Sequence, residues 1–347
     1  MRIGIAFDLI PSSREPASER GDEFEEFDKP ETIEALAGVL RGEGHEVVFL
    51  GDGAALLKQV LGDPPDFVWN LAEGEGVGRC RESRVPAVLE MLGIPHTGSD
   101  ALALAVALDK EMAKRLVASI GIPVPAGIAF NPRADRDDLL QRLHRFAGST
   151  PFPWLVKPAL EGSSKGVRDR CLVDSEEQAL DITRKLAHDY QQTILVEQYI
   201  KGDEVTVGLI GNGHEVAVLG SLRIIPKTNP DRFIYSLDRK RVWDDQIQFE
   251  APARLAGEVL DRLATSAIAA FDLLGCRDLA RVDFRVQDGI PYFLEINPLP
   301  GLTPDWSDMT LLARGVGLTY LDLVRRILDV AFSRLGLDVA SEKGNRR

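Results

Sequence analysis

Two oxygen-bearing side chains, Glu295 and Asn297, lie two residues apart in FLEINPLPGL, a strand-like run that breaks off at Pro298. Side chains spaced by two residues face the same side of a strand. Asp283 precedes them in RVDFRVQDGIPYFLEIN and reaches that face if the loop around residues 287–291 has an odd length, for example with a glycine bulge. A two-residue Asp-Gly turn would separate Asp283 from Glu295, so convergence of the three side chains predicts an odd loop.

Two carboxylates and an amide oxygen form a hard ligand set. Such a set suits Mg²⁺, which also binds phosphate oxygens. The alternative is an exposed polar face on an edge hairpin, and the three residues alone leave both interpretations open.

A glycine- and serine-rich loop follows Lys157 in VKPALEGSSKGV. Gly162, Ser163, Ser164 and Gly166 would make it flexible, and its backbone N–H groups could surround phosphate oxygens. Its spacing differs from the G-x-x-x-x-G-K-[ST] loop of P-loop enzymes, which excludes that class. By itself the stretch is equally typical of an ordinary hairpin loop.

A third candidate is ILVEQYIKGDE, where Glu197 ends an apolar run and Glu204 opens the next one. A carboxylate at such a hinge can accept a hydrogen bond from an adenine amino group, and a second can accept from ribose hydroxyls. Taken singly, either glutamate is also typical of a protein surface.

The elements that must position these residues form two patterns. Strand–helix alternation in the first hundred residues predicts a parallel α/β layer, without the G-x-G-x-x-G dinucleotide fingerprint after its first strand. The later segments indicate α+β structure, including three antiparallel strands over 193–226, a helix over 251–274 and a hairpin over 279–297. We expect domains at residues 1–98, 99–196 and 197–347. The acidic stretch 11–31 predicts a long loop or lid exposed to solvent.

Composition narrows the classes of partner and compartment. The chain has 347 residues and a net charge of −13, which argues against nucleic acid or an anionic membrane as partner. Three cysteines without metal spacing predict reduced thiols. No stretch approaches the roughly 18 apolar residues of a membrane span. We therefore expect a cytoplasmic protein.

Six stretches in order resemble the ATP-grasp superfamily, and most closely its D-alanine–D-alanine ligase branch. They are LEMLGIPHTGS, LDKEMAKRL, VKPALEGSSKGV, VEQYIKGDEVTVGLIG, GCRDLARVDF and LEINPLPGLTP. The resemblance implies a three-domain ATP-grasp fold, with an N-terminal parallel α/β domain and two α+β domains that sandwich ATP. It also implies an ATP-dependent carboxylate–amine ligase acting through an acylphosphate, and dimerisation is common in this family.

The resemblance also assigns roles to residues. Lys110 and Lys157 would hold the α- and β-phosphates, and Lys240 would approach the γ-phosphate. The loop Glu161–Val167 would close over the nucleotide, and its Ser163 would belong to the catalytic residues. The remaining assignments concern adenine (Glu197, Gln198, Tyr199 and Ile200), ribose (Glu204), two Mg²⁺ or possible Mn²⁺ ions (Asp283, Glu295 and Asn297), the oxyanion (Arg281 and the Gly301 N–H) and the second substrate's carboxylate (Ser307).

The chain departs from the branch where amino acids are recognised. It lacks the usual Gly-Gly turn after the first strand, and NLAEGEGVGRCRES replaces HG-x-x-GEDG. Arg241, in YSLDRKR, replaces the final tyrosine of YDYEAKY, and Trp306 and Asp308 follow PGLTP. Arg241, Arg79, Arg81 and Arg84 could receive a larger or acidic substrate, and Asp308 could meet an amine. The alternative for the arginines of GRCRESR is a solvated surface position.

These departures leave several functions open. We expect a ligase that joins two amino acids, or an amino acid and a related amine. A strict D-Ala–D-Ala ligase, a phosphotransferase that stops at phosphate transfer and a regulatory protein without turnover are the alternatives.

Overall fold

The computed structural model describes residues 1–11, 20–242 and 246–337. Its twelve strands are β1 (Arg2–Ala6), β2 (Glu46–Gly51), β3 (Phe67–Asn70), β4 (Gly127–Phe130), β5 (Trp154–Pro158), β6 (Leu172–Val173), β7 (Ile194–Gln198), β8 (Asp203–Gly211), β9 (Ala217–Pro226), β10 (Ile247–Glu250), β11 (Asp278–Gln287) and β12 (Ile290–Asn297).

The helices in the described ranges are α1 (Pro30–Gly42), α2 (Gly53–Gly62), α3 (Arg84–Leu92), α4 (Ala101–Leu108), α5 (Lys110–Ser119), α6 (Arg136–Ala147), α7 (Glu176–Tyr190), α8 (Leu237–Arg241), α9 (Gly257–Leu273), α10 (Asp308–Gly315) and α11 (Tyr320–Leu335). None of them is long and apolar enough to cross a membrane.

The first sheet is parallel, in the order β2-β1-β3, as strand–helix alternation predicts. Its buried strand residues Ile3 and Ile5 pack in one core with Leu36 of α1 and Ile327 of α11. Helix α11 therefore packs against the N-terminal sheet, and the two elements share one core.

Two antiparallel sheets follow. The four-stranded sheet has the order β4-β7-β5-β6, and its core includes α6 and α7. The five-stranded sheet has the order β10-β9-β8-β11-β12, and α9 packs with this sheet in one hydrophobic core. Helices α4 and α5 contact β12 of this second sheet, although they lie within the predicted 99–196 segment. The mixed α/β and α+β fold class is thus present, and the exact domain limits stay a prediction.

The expected run of three antiparallel strands over 193–226 is wrong in one respect. β7 pairs with β4 and β5, whereas β8 pairs with β9 and β11 of the other sheet. Lys201-Gly202 is therefore a crossing between sheets. Gly202 has a φ of 118°, and a Cβ there would collide with the Val286 carbonyl oxygen, so glycine is required. The helix expected at 251–274 begins only at Gly257.

One buried carboxylate connects the N-terminal segment, the five-stranded sheet and the last helix. Asp278 is fully buried and accepts hydrogen bonds from the Gly98 N–H (2.7 Å), Asn212 Nδ2 (2.9 Å) and Arg334 Nε (2.7 Å). Its backbone lies in the left-handed region at φ 64°, which asparagine and aspartate tolerate best among non-glycine residues. It thus ties together segments far apart in sequence.

We expect Asp278→Asn to lower the free energy of unfolding by about 3 kcal/mol, because it leaves the charge of Arg334 without its buried partner. Urea unfolding measures this change. Asp305→Asn is the control, since Asp305 and Arg314 pair at 2.9 Å with side chains 77% and 64% exposed; it should change stability by less than about 1 kcal/mol. Equal losses in both variants would contradict the role of Asp278.

Candidate active site

The β11–β12 hairpin brings the oxygen-bearing residues together by a route that differs from the predicted one. Its turn has two residues, Asp288 and Gly289, with φ values of 51° and 75°. The odd loop was therefore wrong, and this turn alone would place Asp283 opposite Leu294. A β-bulge shifts the register between Asp283 and Phe284, so that Asp283 pairs with Glu295. The bulge contains no glycine, and it places Asp283 on the same face of the hairpin as Glu295 and Asn297.

The resulting cluster is held by Arg281. Its guanidinium donates to both carboxylate oxygens of Asp283, at 3.1 and 2.9 Å, and to Asp308 Oδ2 at 2.9 Å. Asn297 Nδ2 donates to Asp283 Oδ2 at 3.1 Å, while Lys110 Nζ lies 3.0 Å from Glu295 Oε2. The predicted Asp283, Glu295 and Asn297 are thus side by side.

Burial and charge act differently on the two carboxylates. Burial raises the pKa of Asp283 above its usual range, and the charges of Glu295 and Asp308 add to this against the opposing effect of Arg281. Burial also disfavours the charge of Glu295, but the ammonium groups of Lys110 and Lys157 lower its pKa to about 2. Glu295 is therefore ionised at neutral pH.

The donor set fits a hard cation. Within the described residues no three His, Cys, Asp or Glu side chains are grouped to hold a metal ion, but this cluster is two carboxylates and an amide. Such oxygens suit Mg²⁺. The mutual repulsion that raises the pKa of Asp283 is what a divalent cation would relieve.

A cavity between the two antiparallel sheets adjoins this cluster. The predicted nucleotide residues that line it are Lys110, Lys157, Glu161, Ser164, Glu197, Gln198, Tyr199, Ile200 and Glu204. Lys157 Nζ is 2.9 Å from Glu197 Oε2, and Lys114 contacts the other oxygen of the same carboxylate. Although burial opposes its charge, these two ammonium groups lower the pKa of Glu197 to about 2.

The Gly/Ser loop has a backbone suited to wrapping an anion. Ser163, Ser164 and Gly166 have φ values of 48°, 60° and 77°, and a Cβ at Gly166 would lie 2.6 Å from Pro158 Cγ. Ser164 Oγ donates to the Tyr235 carbonyl oxygen at 2.8 Å. The loop therefore contacts the segment that leads into α8.

Residues 20–31 of the acidic stretch cover this loop, contrary to the solvated loop expected from the composition of 11–31. Residues 12–19 lie outside the described part. Glu26, with its side chain 3% exposed, accepts from Arg81 NH2 (2.7 Å), Lys165 Nζ (2.8 Å) and the Gly162 N–H. Asp22 accepts from the Gly166 N–H at 3.0 Å. Two carboxylates of this stretch thus hold both ends of the loop.

The predicted substrate residues line a second, larger cleft beside the cluster. Arg241 contacts Glu25 and the Gly21 carbonyl oxygen, and Lys240 Nζ lies 4.6 Å from the Tyr235 ring centroid. Burial lowers the pKa of Lys240. The cleft also contains Ser163, Ser307, Asp308, Arg281 and Gly301. The residues predicted for oxyanion and second substrate are therefore close together.

Comparison with known proteins identifies this arrangement. Residues 116–329 match the family model for the C-terminal part of D-Ala–D-Ala ligases. This chain belongs to the D-alanine–D-alanine ligase family. The resemblance and the enzyme class, an ADP-forming ATP-grasp ligase, are confirmed.

Curated relatives in the D-Ala–D-Ala ligase family match most of the chain. A D-alanine–D-alanine ligase of Gloeobacter violaceus is 32% identical and covers 85% of this chain and 91% of its own. A D-alanine–D-alanine ligase of Marinomonas sp. is 34% identical and covers 87% of this chain and 90% of its own. An uncharacterized protein of Sinorhizobium fredii is 33% identical over 87% of each chain.

Solved structures share the fold. D-alanine–D-alanine ligase of Bacillus anthracis in complex with ATP has a TM-score of 0.71 and 24% identity, covering 96% of this chain and 98% of its own. The VanG D-Ala:D-Ser ligase of Enterococcus faecalis has the same TM-score at 21% identity, covering 95% and 99%. The ATP-grasp fold is thus shown.

Sequence reasoning missed Lys114 and Arg285 and left the role of Arg81 open. Lys114 follows Lys110 by four residues and thus lies on the same helix face, a signal that was available. Arg285 continues the alternation Arg281, Asp283, Arg285 and lies 3.1 Å from Glu204. Arg81 is not at the surface, because its side chain is 1% exposed and donates to Glu26, which lies 55 residues away in the sequence.

We expect Glu26→Gln to raise the KM for ATP about tenfold or more, because the Gly162 end of the Gly/Ser loop and Lys165 lose a charged acceptor. Steady-state kinetics at saturating amino acids measure this. Glu75→Gln, an acid-to-amide change at an exposed position, is the control and should leave that KM within twofold. An unchanged KM in Glu26→Gln would show that the acidic stretch does not hold the loop.

Proposed function

We propose that this enzyme joins two amino acids, or an amino acid and a related amine, at the expense of ATP. One observation supports this most directly. Lys110 contacts Glu295 of the oxygen cluster and the Glu161 carbonyl oxygen of the Gly/Ser loop, so the nucleotide cavity and the cluster meet at one side chain. A carboxylate substrate at this junction lies beside the terminal phosphate of ATP.

The proposed reaction has two steps. The carboxylate of the first amino acid attacks the γ-phosphate, which forms an acylphosphate and ADP. The amine of the second substrate then attacks the acyl carbon, and phosphate leaves with its former acyl oxygen as an amide bond forms. Positioning and charge neutralisation account for most of the catalysis in such transfers.

The chain's own groups have distinct tasks in this scheme. Lys110, Lys157 and Lys240 neutralise phosphate oxygens, and Glu197 and Glu204 orient the nucleoside. Arg281 and the Gly301 N–H stabilise the tetrahedral oxyanion, while Ser163 positions the first substrate and Ser307 receives the second substrate's carboxylate. Asp283, Glu295 and Asn297 would hold two Mg²⁺ ions, or Mn²⁺. A bound ion would supply charge neutralisation at the phosphates.

An ATP-consumption screen over pairs of D- and L-amino acids tests this function, with mass spectrometry of the product. ADP release that requires two amino acids, together with a peptide product, supports a ligase. A phosphorylated product with a single substrate would favour the phosphotransferase instead. Release with D-alanine alone among all amino acids would indicate a strict D-Ala–D-Ala ligase.

We expect Glu295→Gln to lower kcat about 10²–10³-fold, because Glu295 would hold the cation that neutralises the reacting phosphate, and the loss of such charge stabilisation costs several kcal/mol. Circular dichroism should show an intact fold. Asp288→Asn is the control on the same hairpin, since Asn-Gly also favours this turn, and it should keep near-normal turnover. Near-normal turnover in Glu295→Gln would remove the metal hypothesis.

We expect Arg241→Ala to raise an amino-acid KM about tenfold, which corresponds to about 1.4 kcal/mol, and to change the ATP KM less than threefold. Arg241 lines the cleft beside Ser307 and Trp306, away from the nucleotide cavity. Arg232→Ala is the control, since Arg232 pairs with Asp174 at 2.9 Å on an exposed surface. An effect on ATP alone would assign Arg241 to the phosphates.

The quaternary structure and location follow from the family as proposals. We propose a homodimer in the cytoplasm, which light scattering and cell fractionation would test.

A further inference from the structure

A buried arginine lies beside the residues predicted for adenine and ribose. Arg285 and Glu204 both line the nucleotide cavity, together with Tyr199 and Ile200. Glu204 orients the nucleoside in the proposed reaction, whereas Arg285 has no task there. The side chain of Arg285 is only 5% exposed, and a charge so far out of water needs compensating contacts. Those contacts indicate what Arg285 does.

The register between β8 and β11 places Arg285 opposite Glu204. The two residues are direct partners in this antiparallel pair, and Thr206 and Asp283 are the next partners on the same face. Arg285 Nη2 lies 3.1 Å from Glu204 Oε2, and Thr206 Oγ1 donates to Asp283 Oδ1 at 2.8 Å. The predicted ribose acceptor and the oxygen cluster therefore lie along one face of the sheet.

The guanidinium of Arg285 is also fixed by groups other than Glu204. Its Nη1 donates to the Gly202 carbonyl oxygen at 2.9 Å, at the crossing between the two sheets, and its Nη2 donates to the Phe233 carbonyl oxygen. Tyr199 Oη donates to the same Phe233 oxygen at 2.7 Å, and the Tyr199 ring centroid lies 5.1 Å from Arg285 Cζ. Arg285 is thus a rigid support for the Glu204 carboxylate.

This support leaves half of the Glu204 carboxylate for a ligand. Arg285 is at Oε2, and among the described residues no hydrogen bond or ion pair engages Oε1. Burial raises the pKa of Glu204, and the charge of Arg285 is the largest effect that opposes this rise. An ionised carboxylate accepts hydrogen bonds roughly twice as strong as those of a neutral acceptor. Arg285 therefore favours both the charge and the orientation that a hydroxyl donor needs.

We propose that Arg285 is a positioning residue that holds Glu204 as the acceptor for a ribose hydroxyl of ATP. The enzyme then prefers ATP to the deoxy analogue that lacks this hydroxyl, because the analogue leaves a buried carboxylate without its donor. This inference rests on the proposed function and deepens it, since it assigns the choice of nucleotide to a residue of β11.

The test measures nucleotide binding, so it needs no amino-acid substrate. Isothermal titration calorimetry of the purified full chain with Mg²⁺ gives the Kd of ATP, 2′-deoxyATP and 3′-deoxyATP. We expect the wild type to bind at least one deoxy analogue about tenfold or more weakly than ATP. Arg285→Met should reduce this ratio of Kd values to less than about threefold, because Glu204 is no longer held in place.

Further variants separate positioning from a general structural role. Glu204→Gln should also reduce the ratio to less than about threefold, and combining it with Arg285→Met should reduce the ratio no further, because both changes act on one interaction. Arg285→Lys keeps a positive charge beside Glu204 and should retain a ratio above about threefold. Arg285→Gln, which can still donate to a carbonyl oxygen, replaces Arg285→Met if that variant does not fold. Weaker binding of all three nucleotides by the same factor would overturn the proposal.

The matched control is the arginine–carboxylate pair at the neighbouring position of β8. Asp203 precedes Glu204 and thus points to the other face of the strand, where Arg223 of β9 lies 2.7 Å from it. Neither Asp203 nor Arg223 lines the nucleotide cavity. Arg223→Met should therefore leave the ratio of Kd values within about twofold of the wild type. Equal losses of the ratio in Arg223→Met and Arg285→Met would contradict the role of Arg285.

The inference and the proposed function fail in different ways. Equal affinities of the wild type for ATP and both deoxy analogues would overturn the inference, while a peptide formed from two amino acids would leave the ligase function intact. If the nucleotides are distinguished as expected but no pair of amino acids gives ADP and a peptide, the ligase function alone fails. Absence of ATP binding would overturn both.

Discussion

The register of the β11–β12 hairpin is the constraint on which the site depends. Side chains alternate along a strand with a period of two, so a shift of one residue moves every side chain to the other face. The Asp288-Gly289 turn alone would put Asp283 opposite Leu294, and the bulge corrects this by one residue. Only then do Glu295, which meets Lys110, and Asn297 share a face with Asp283. A longer turn could also have brought Asp283 opposite Glu295. The hairpin instead keeps a two-residue turn and has its bulge next to the oxygen cluster.

Buried charge joins segments that are remote in sequence. Glu197 on β7 lies between Lys114 of α5 and Lys157 of β5, and all three side chains are less than 10% exposed. Leaving one member of such a group without its partners costs several kcal/mol. Helix α5 packs on β12 of the five-stranded sheet, whereas β5 and β7 belong to the four-stranded one. The charges that prepare the nucleotide cavity therefore also fix how the two sheets face each other.

The sequence predicts what local chemistry determines. Asp109, an aspartate directly before a helix-forming run, caps α5 because its Oδ1 accepts from the Met112 N–H at 3.1 Å. The hairpin is likewise indicated locally, by its Asp-Gly turn. The sequence could not predict which sheet β7 and β8 belong to, because the alternation of side chains along a strand does not indicate the strand with which it pairs. The prediction for the acidic stretch was wrong for a related reason. Its composition predicts exposure to solvent, but Lys165, which contacts Glu26, lies 139 residues away. No local pattern indicates that contact.

Two neighbouring glutamates of the acidic stretch form ion pairs that differ strongly in burial. Glu26 and Arg81 pair with side chains 3% and 1% exposed, whereas Glu25 and Arg241 are 31% and 43% exposed. A buried pair resists separation strongly, while an exposed pair contributes about 1 kcal/mol or less. Arg241 stands where the ligases that this chain resembles commonly carry tyrosine, and an arginine needs the anionic partner that the acidic stretch provides. Breaking the Glu26–Arg81 pair therefore costs far more than breaking the Glu25–Arg241 pair, which borders the larger cleft.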